Sequence, residues 1–211
     1  MDLDKNIIRD VKGFLDEAEG EALYRYSLLA SRLGPCVEIG SYCGKSAIFL
    51  GTACRRAGEV LFSIDHHQGS EEQQPGELYF DPAVFDCQTF LVDTFPDFRK
   101  TLALAGLENT VVPMICRSEL AARSWATPLG LVFIDGGHSY EATRKDYDGW
   151  HKHILPGGYL LIHDIFSDPA KGGQAPYDVY SYAIASGAYR ELPMVGTLGI
   201  LQKRQRAENG G

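Results

Sequence analysis

Val37-Glu38-Ile39-Gly40-Ser41-Tyr42-Cys43-Gly44-Lys45-Ser46-Ala47 is the stretch on which the fold turns. The apolar run at 36–39 reads as a buried strand, Gly40 to Gly44 as a tight loop, and about 45–57 as a helix stopped by Gly58. The same alternation recurs downstream. Segments 60–64, 111–116, 131–134 and 159–163 read as strands. Between the last two, Thr143, Tyr147, Trp150 and Ile154 form one helical face, closed by Pro156-Gly157-Gly158. Segments 190–195 and 198–202 predict a hairpin around Gly196-Thr197. Upstream, Ile7, Ile8, Val11, Phe14 and Leu15, then Leu23, Tyr26, Leu29, Ala30 and Leu33, predict two helices within 1–34. These either cover the sheet or pair with a second copy as a homodimer. The expectation is a single α/β domain over 1–211: a Rossmann-like, mostly parallel seven-stranded sheet, helices on both faces, and an antiparallel C-terminal hairpin. The tail 204–211 is expected to be flexible.

Composition narrows the function classes. Hydrophobic residues at 45% and charged residues at 23% are those of an ordinary globular protein. No run approaches the roughly 18 consecutive apolar residues of a membrane span, and the opening MDLDKNIIRD lacks the apolar core of a signal peptide. A cytoplasmic location is expected. The five cysteines form no CxxC pair, which predicts reduced thiols rather than a disulfide framework or a structural zinc site. From Asp65 to Asp97 there are eight acids and no Lys or Arg, which matches the whole net charge of -8. A surface of that sign repels phosphate backbones and anionic lipid, so neither nucleic acid nor membrane is an expected partner.

The glycine loop falls one residue short of a phosphate-binding P-loop, with three residues rather than four between Gly40 and the Gly44-Lys45 pair. Glu38 would also place a negative charge beside a phosphate. The spacing suits another ligand. Gly40 and Gly44 let backbone approach a cofactor closely, and an acid at the strand end favours an ammonium group. Asp65, ending the next strand, has two oxygens to accept ribose hydroxyls. Ammonium plus ribose describes S-adenosylmethionine. Two rivals stand beside this reading. One is a nucleotide-linked Rossmann oxidoreductase, opposed by Glu38 and by the missing G-x-G-x-x-G. The other is a binding module that keeps the cofactor site without chemistry.

The stretch 37–47 resembles the first motif of class I S-adenosylmethionine-dependent methyltransferases, closest to catechol O-methyltransferase-like and bacterial small-molecule enzymes. The likeness covers about 35–165 through four ordered landmarks: the glycine loop, Ser63-Ile64-Asp65, the run from Phe133 to Tyr140, and the run from Pro156 to Asp164. It implies that Glu38, Gly40, Ser41, Tyr42, Gly44, Ser46, Asp65 and His66 surround the methionine and ribose. Ser118 and Glu119 would then lie near adenine. The acidic insert 66–97 departs from the family core and is expected to be a lid or substrate wall. Its aromatics, among them Tyr79, Phe80 and Phe85, would line an acceptor pocket or a dimer face.

Methyl transfer from a sulfonium needs two aligned groups and removal of the acceptor's proton. Asp135 and His138 leave one strand three residues apart, and His163 and Asp164 end the next. The resemblance implies a divalent metal, magnesium or similar, on Asp135 and Asp164. It puts a general base at His138, whose ordinary pKa of about 6.5 suits the task. Ile165 stands where catechol-type enzymes carry an amide ligand, and His163 is the substitute ligand expected here. The expected activity is O-methylation of a small molecule, with Asp135 touching both cofactor and reaction. The adjacent His66 and His67 read as a solvated loop pair, and Cys43 as a packing residue. No G-x-S-x-G elbow is present.

Overall fold

Every residue of the strand leading into the glycine loop is buried, which places it in the middle of a sheet covered on both faces. A computed structural model of the chain describes residues 3–137 and 139–205. In chain order the elements are α1 (Lys5–Asp10), α2 (Glu17–Ala30), β1 (Cys36–Ile39), α3 (Lys45–Ala57) and β2 (Leu61–Asp65). A small hairpin, β3 (Phe85–Asp86) and β4 (Leu91–Val92), precedes α4 (Phe95–Ala105), β5 (Val111–Ile115) and α5 (Ser118–Ala122). Then come β6 (Leu129–Ile134), α6 (Tyr140–Trp150), β7 (Ile154–Ile162), α7 (Ala175–Ala185), β8 (Tyr189–Val195) and β9 (Leu198–Lys203).

The main sheet has seven strands in the order β5-β2-β1-β6-β7-β9-β8. The first five run parallel, and β9 and β8 are antiparallel additions. The order reverses between β1 and β6, so their carboxyl ends diverge and open a crevice where ligands bind in such sheets. The two faces carry separate cores. Leu131 and Phe133 of β6 join Leu23, Phe49 and Phe98 beneath α2, α3 and α4. Val132 and Ile134, on the alternate face, join Tyr147, Trp150 and Val179 beneath α6 and α7.

The sheet class, the terminal hairpin and the bounds of α3 match the sequence expectation. Several details differ. The first predicted helix stops at Asp10, because Val11 already turns extended; Gly13 follows at φ +147°, and Phe14 is left 68% exposed. Strand β7 starts at Ile154 and includes Pro156-Gly157-Gly158, with a register irregularity against β6 that accommodates the glycines. Helices α4, α5 and α7 were not anticipated. Of the tail expected to be flexible, Arg204 donates from its backbone N–H to the Ala188 carbonyl and from Nε to that of Tyr189, and 206–211 lie outside the described residues. Among the described residues, no helix is long and apolar enough to cross a membrane.

Candidate active site

A cleft of about 720 Å³ opens beyond the carboxyl ends of β1, β2 and β6. Its floor is the glycine loop. Gly40 has φ +83°, and a Cβ there would lie 2.1 Å from the carbonyl oxygen of Asp135, so only glycine lets the loop lie this close to the end of β6. Asp65 holds the loop in place. Its Oδ2 accepts the backbone N–H groups of Ser41 and Tyr42, both at 2.9 Å, and its Oδ1 accepts that of His67 at 2.7 Å. A carboxylate offers about four acceptor positions, so these donors do not exhaust it.

Ser41, Tyr42, Ser46, Asp65 and His66 line the cleft alongside Gly40. Glu38 and Gly44 are not among the lining residues. Glu38 pairs in register with Ser63 on β2, whose hydroxyl donates to Oε2 at 2.7 Å, so the side chain turns into the sheet layer and is fully buried. Burial, helped by Asp135 and Asp65, pushes its pKa up to about 7. Among the described residues, its Oε1 and the buried Ser41 Oγ have no hydrogen-bond partner. Such orphaned polar atoms beside a glycine loop fit the polar end of an amino-acid-bearing cofactor. Gly44 instead starts α3 at φ +91°, against Phe98 and Thr101. His67 is not solvated. It is buried between Phe95 and Phe98, with Nδ1 at 2.8 Å from Thr94 Oγ1.

The opposite wall carries Ser118 and Glu119 after β5. Ser118 Oγ donates to Asp146 on α6, a lining acid absent from the sequence expectation, whose pKa burial raises to about 7. At the mouth, Phe14, Tyr42 and Tyr79 cluster, with ring centroids 6.2 and 5.4 Å from Phe14, beside a side pocket of about 380 Å³. Lys12 Nζ reaches Asp81 Oδ2 at 2.6 Å and ties this N-terminal loop to the acidic insert.

Asp135, His163 and Asp164 converge at one end of the cleft, with ligand atoms within 4.8 Å of one another. Consecutive strand residues face opposite ways, but β7 ends at Ile162 and Asp164 takes φ +58°. That left-handed turn brings both side chains to the Asp135 side. His163 Nδ1 lies 3.0 Å from Asp135 Oδ1 and 3.6 Å from Asp164 Oδ2. Its Nε2 lies 3.1 Å from Glu19 Oε2, an α2 residue the sequence did not single out for this site. Burial works against charge on the ring, yet Asp135, Glu19 and Asp164 outweigh it and raise the pKa to about 11. Burial also disfavours charge on Glu19, but His163, the Thr197 N–H and the Asp16 N–H hold it near 2. The only sequence signal at Glu19 is its capping-box spacing from Asp16. His138 lies outside the described residues, between Gly137 and Ser139, which both line the cleft.

Comparison with known proteins bears on the same segments. A family model described as a methyltransferase domain matches residues 37–165. Demethylmacrocin O-methyltransferase of Streptomyces fradiae is 31% identical over 88 residues, covering 37% of this chain and 22% of that protein, so the chain spans about a fifth of that relative. Among solved structures, the O-methyltransferase TomG of Streptomyces achromogenes, in complex with S-adenosylmethionine, aligns with TM-score 0.62 at 16% identity over 91% of this chain and 82% of its own. An O-methyltransferase of Bacillus cereus in complex with S-adenosylhomocysteine aligns with TM-score 0.62 at 15% identity, over 95% and 90%. The matched family segment runs from the glycine loop through Asp65 and Asp135 to the end of β7, the same strand ends that build the cleft, and the chain, of Rossmann-like fold, belongs to the methyltransferase domain family.

Proposed function

We propose that the chain transfers the methyl group of S-adenosylmethionine to a hydroxyl oxygen of a small molecule. The observation that carries this reading is the Asp65-organised glycine loop, which opens into one cleft with the Asp135 cluster and the aromatic mouth. Methionine and ribose would lie over Gly40, Ser41 and Asp65, with adenine toward Ser118 and Glu119. The acceptor would enter past Phe14 and Tyr79, the insert 66–97 acting as its wall. In the reaction the C–S bond of the sulfonium breaks as a C–O bond forms. The hydroxyl proton passes to a base, and the products are S-adenosylhomocysteine and a methyl ether. His138 is the base in this reading.

The donor set Asp135, Asp164 and His163 fits a divalent cation. Its 3.0 and 3.6 Å spacings from Nδ1 suit neighbouring ligands of one ion, and one imidazole beside two carboxylates favours manganese, iron or zinc over magnesium. Such an ion lowers the pKa of a hydroxyl bound to it. Calorimetry with S-adenosylhomocysteine and NAD tests the donor: heat with the first and none with the second is expected. A panel of hydroxylated acceptors assayed by mass spectrometry tests the reaction. His138→Ala should lower turnover by about 10²–10⁴ while leaving S-adenosylhomocysteine affinity in place.

A further inference from the structure

Glu19 belongs to α2, far in sequence from the ends of β6 and β7 that carry Asp135 and His163, yet it is 4% exposed and its carboxylate is fully engaged. Oε1 accepts the backbone N–H of Thr197 at 2.6 Å and its hydroxyl at 2.9 Å. Oε2 accepts the backbone N–H of Asp16 at 3.1 Å and lies 3.1 Å from His163 Nε2. An ionised carboxylate only accepts, so His163 Nε2 must carry the hydrogen. The other ring nitrogen faces Asp135 and Asp164; in the metal-free protein it too carries a hydrogen, toward Asp135, which a bound cation would displace. A buried imidazole whose far N–H is held by a carboxylate, with its near nitrogen turned to two acids, is the arrangement that orients histidine ligands in metal sites.

We propose that Glu19 is a positioning residue for the catalytic end. Reaching across from α2, it fixes the orientation and tautomer of His163 so that Nδ1, with Asp135 and Asp164, forms the cation-binding face. This rests on the donor set of the preceding section. The rigidity comes from the three backbone and hydroxyl donors that hold Glu19 from α2 and the β8–β9 turn. They leave the carboxylate one direction in which to meet the ring. Helix α2 is therefore part of the site and more than a cover for the sheet.

The probe is Mn2+, followed by electron paramagnetic resonance on the full chain. Glu19→Gln keeps the volume but presents an amide to one pair of donors. It should weaken Mn2+ binding about 10–100-fold with S-adenosylhomocysteine affinity little changed. Thr197→Val removes one of the three donors that hold Glu19 but keeps its charge and its contact with His163, and should weaken Mn2+ binding by less than Glu19→Gln does. Because Glu19→Gln also disturbs a helix cap, spin-echo modulation on the Mn2+-loaded parent protein supplies a reading that needs no variant. A coordinated histidine nitrogen is expected there, and it should vanish in His163→Gln. The proposal is overturned if the modulation is absent, if Glu19→Gln binds Mn2+ as the parent does, or if Thr197→Val loses as much as Glu19→Gln. A parent protein that fails to bind S-adenosylhomocysteine would sink the donor reading separately, since that arm contains no metal.

Discussion

Asp65→Asn offers the sharpest test of how the glycine loop is held. The carboxylate accepts three backbone N–H groups, two on Oδ2 from Ser41 and Tyr42 and one on Oδ1 from His67. An asparagine can keep its oxygen at the Oδ2 position, where two donors meet. Those two bonds then change from charge-assisted to neutral, at a cost of about 1 kcal/mol each, and the His67 N–H is left facing an NH2 group, at about 1–3 kcal/mol more. A total of about 3–5 kcal/mol lowers Tm by roughly 6–20 °C in a chain of this size. Ordering the loop then falls to the cofactor, and each 1.4 kcal/mol so used weakens affinity about tenfold. Differential scanning calorimetry and titration with S-adenosylhomocysteine read the two effects. A Tm within about 2 °C of the parent, with affinity unchanged, would refute the claim that Asp65 organises the loop.

Gly40→Ala should abolish S-adenosylhomocysteine binding and destabilise the fold by several kcal/mol, because its Cβ would lie 2.1 Å from the Asp135 carbonyl oxygen at φ +83°; thermal melts and titration check it. Glu38 is buried with its pKa raised from 4.5 to about 7, so the native state holds that proton more tightly than the unfolded chain. Its contribution to stability therefore falls as pH rises through that window. Glu38→Gln should remove the fall and gain about 1–3 kcal/mol at alkaline pH, measured by denaturant melts across the range. The Glu19–His163 pair acts in the opposite sense at each end. Glu19, lowered from 4.5 to about 2, stabilises above its unfolded value and loses this as pH falls through about 2. His163, raised from 6.5 to about 11, contributes fully below 6.5 and loses this as pH rises through about 11. In metal-free protein, the Tm gap between parent and His163→Gln should therefore be widest near pH 6 and shrink at alkaline pH. A gap that grows toward alkali would contradict it.

Sequence alone determined the elements whose signals are local. The run of strand, glycine loop and helix at 36–57, the later strands, and the Gly196-Thr197 hairpin all follow from apolar periodicity and turn residues. Asp65, Asp135 and Asp164 were legible because strand ends are where such sheets bind ligands. Local reading failed where neighbours decide. Helix α7 carries Pro176 and apolar residues on several sides, so no single face announces it. Phe14 continues the helical spacing of Ile7 and Val11, but the helix ends at Asp10, with Val11 already extended. Register sets Glu38 against Ser63, which takes up one oxygen of a carboxylate that sequence alone places only at a strand end. Only the tertiary structure could bring Glu19 to His163 across 144 residues and to Thr197 across 178. Periodicity reports which face of an element is buried, whereas the partner that a buried polar group meets depends on how distant segments pack.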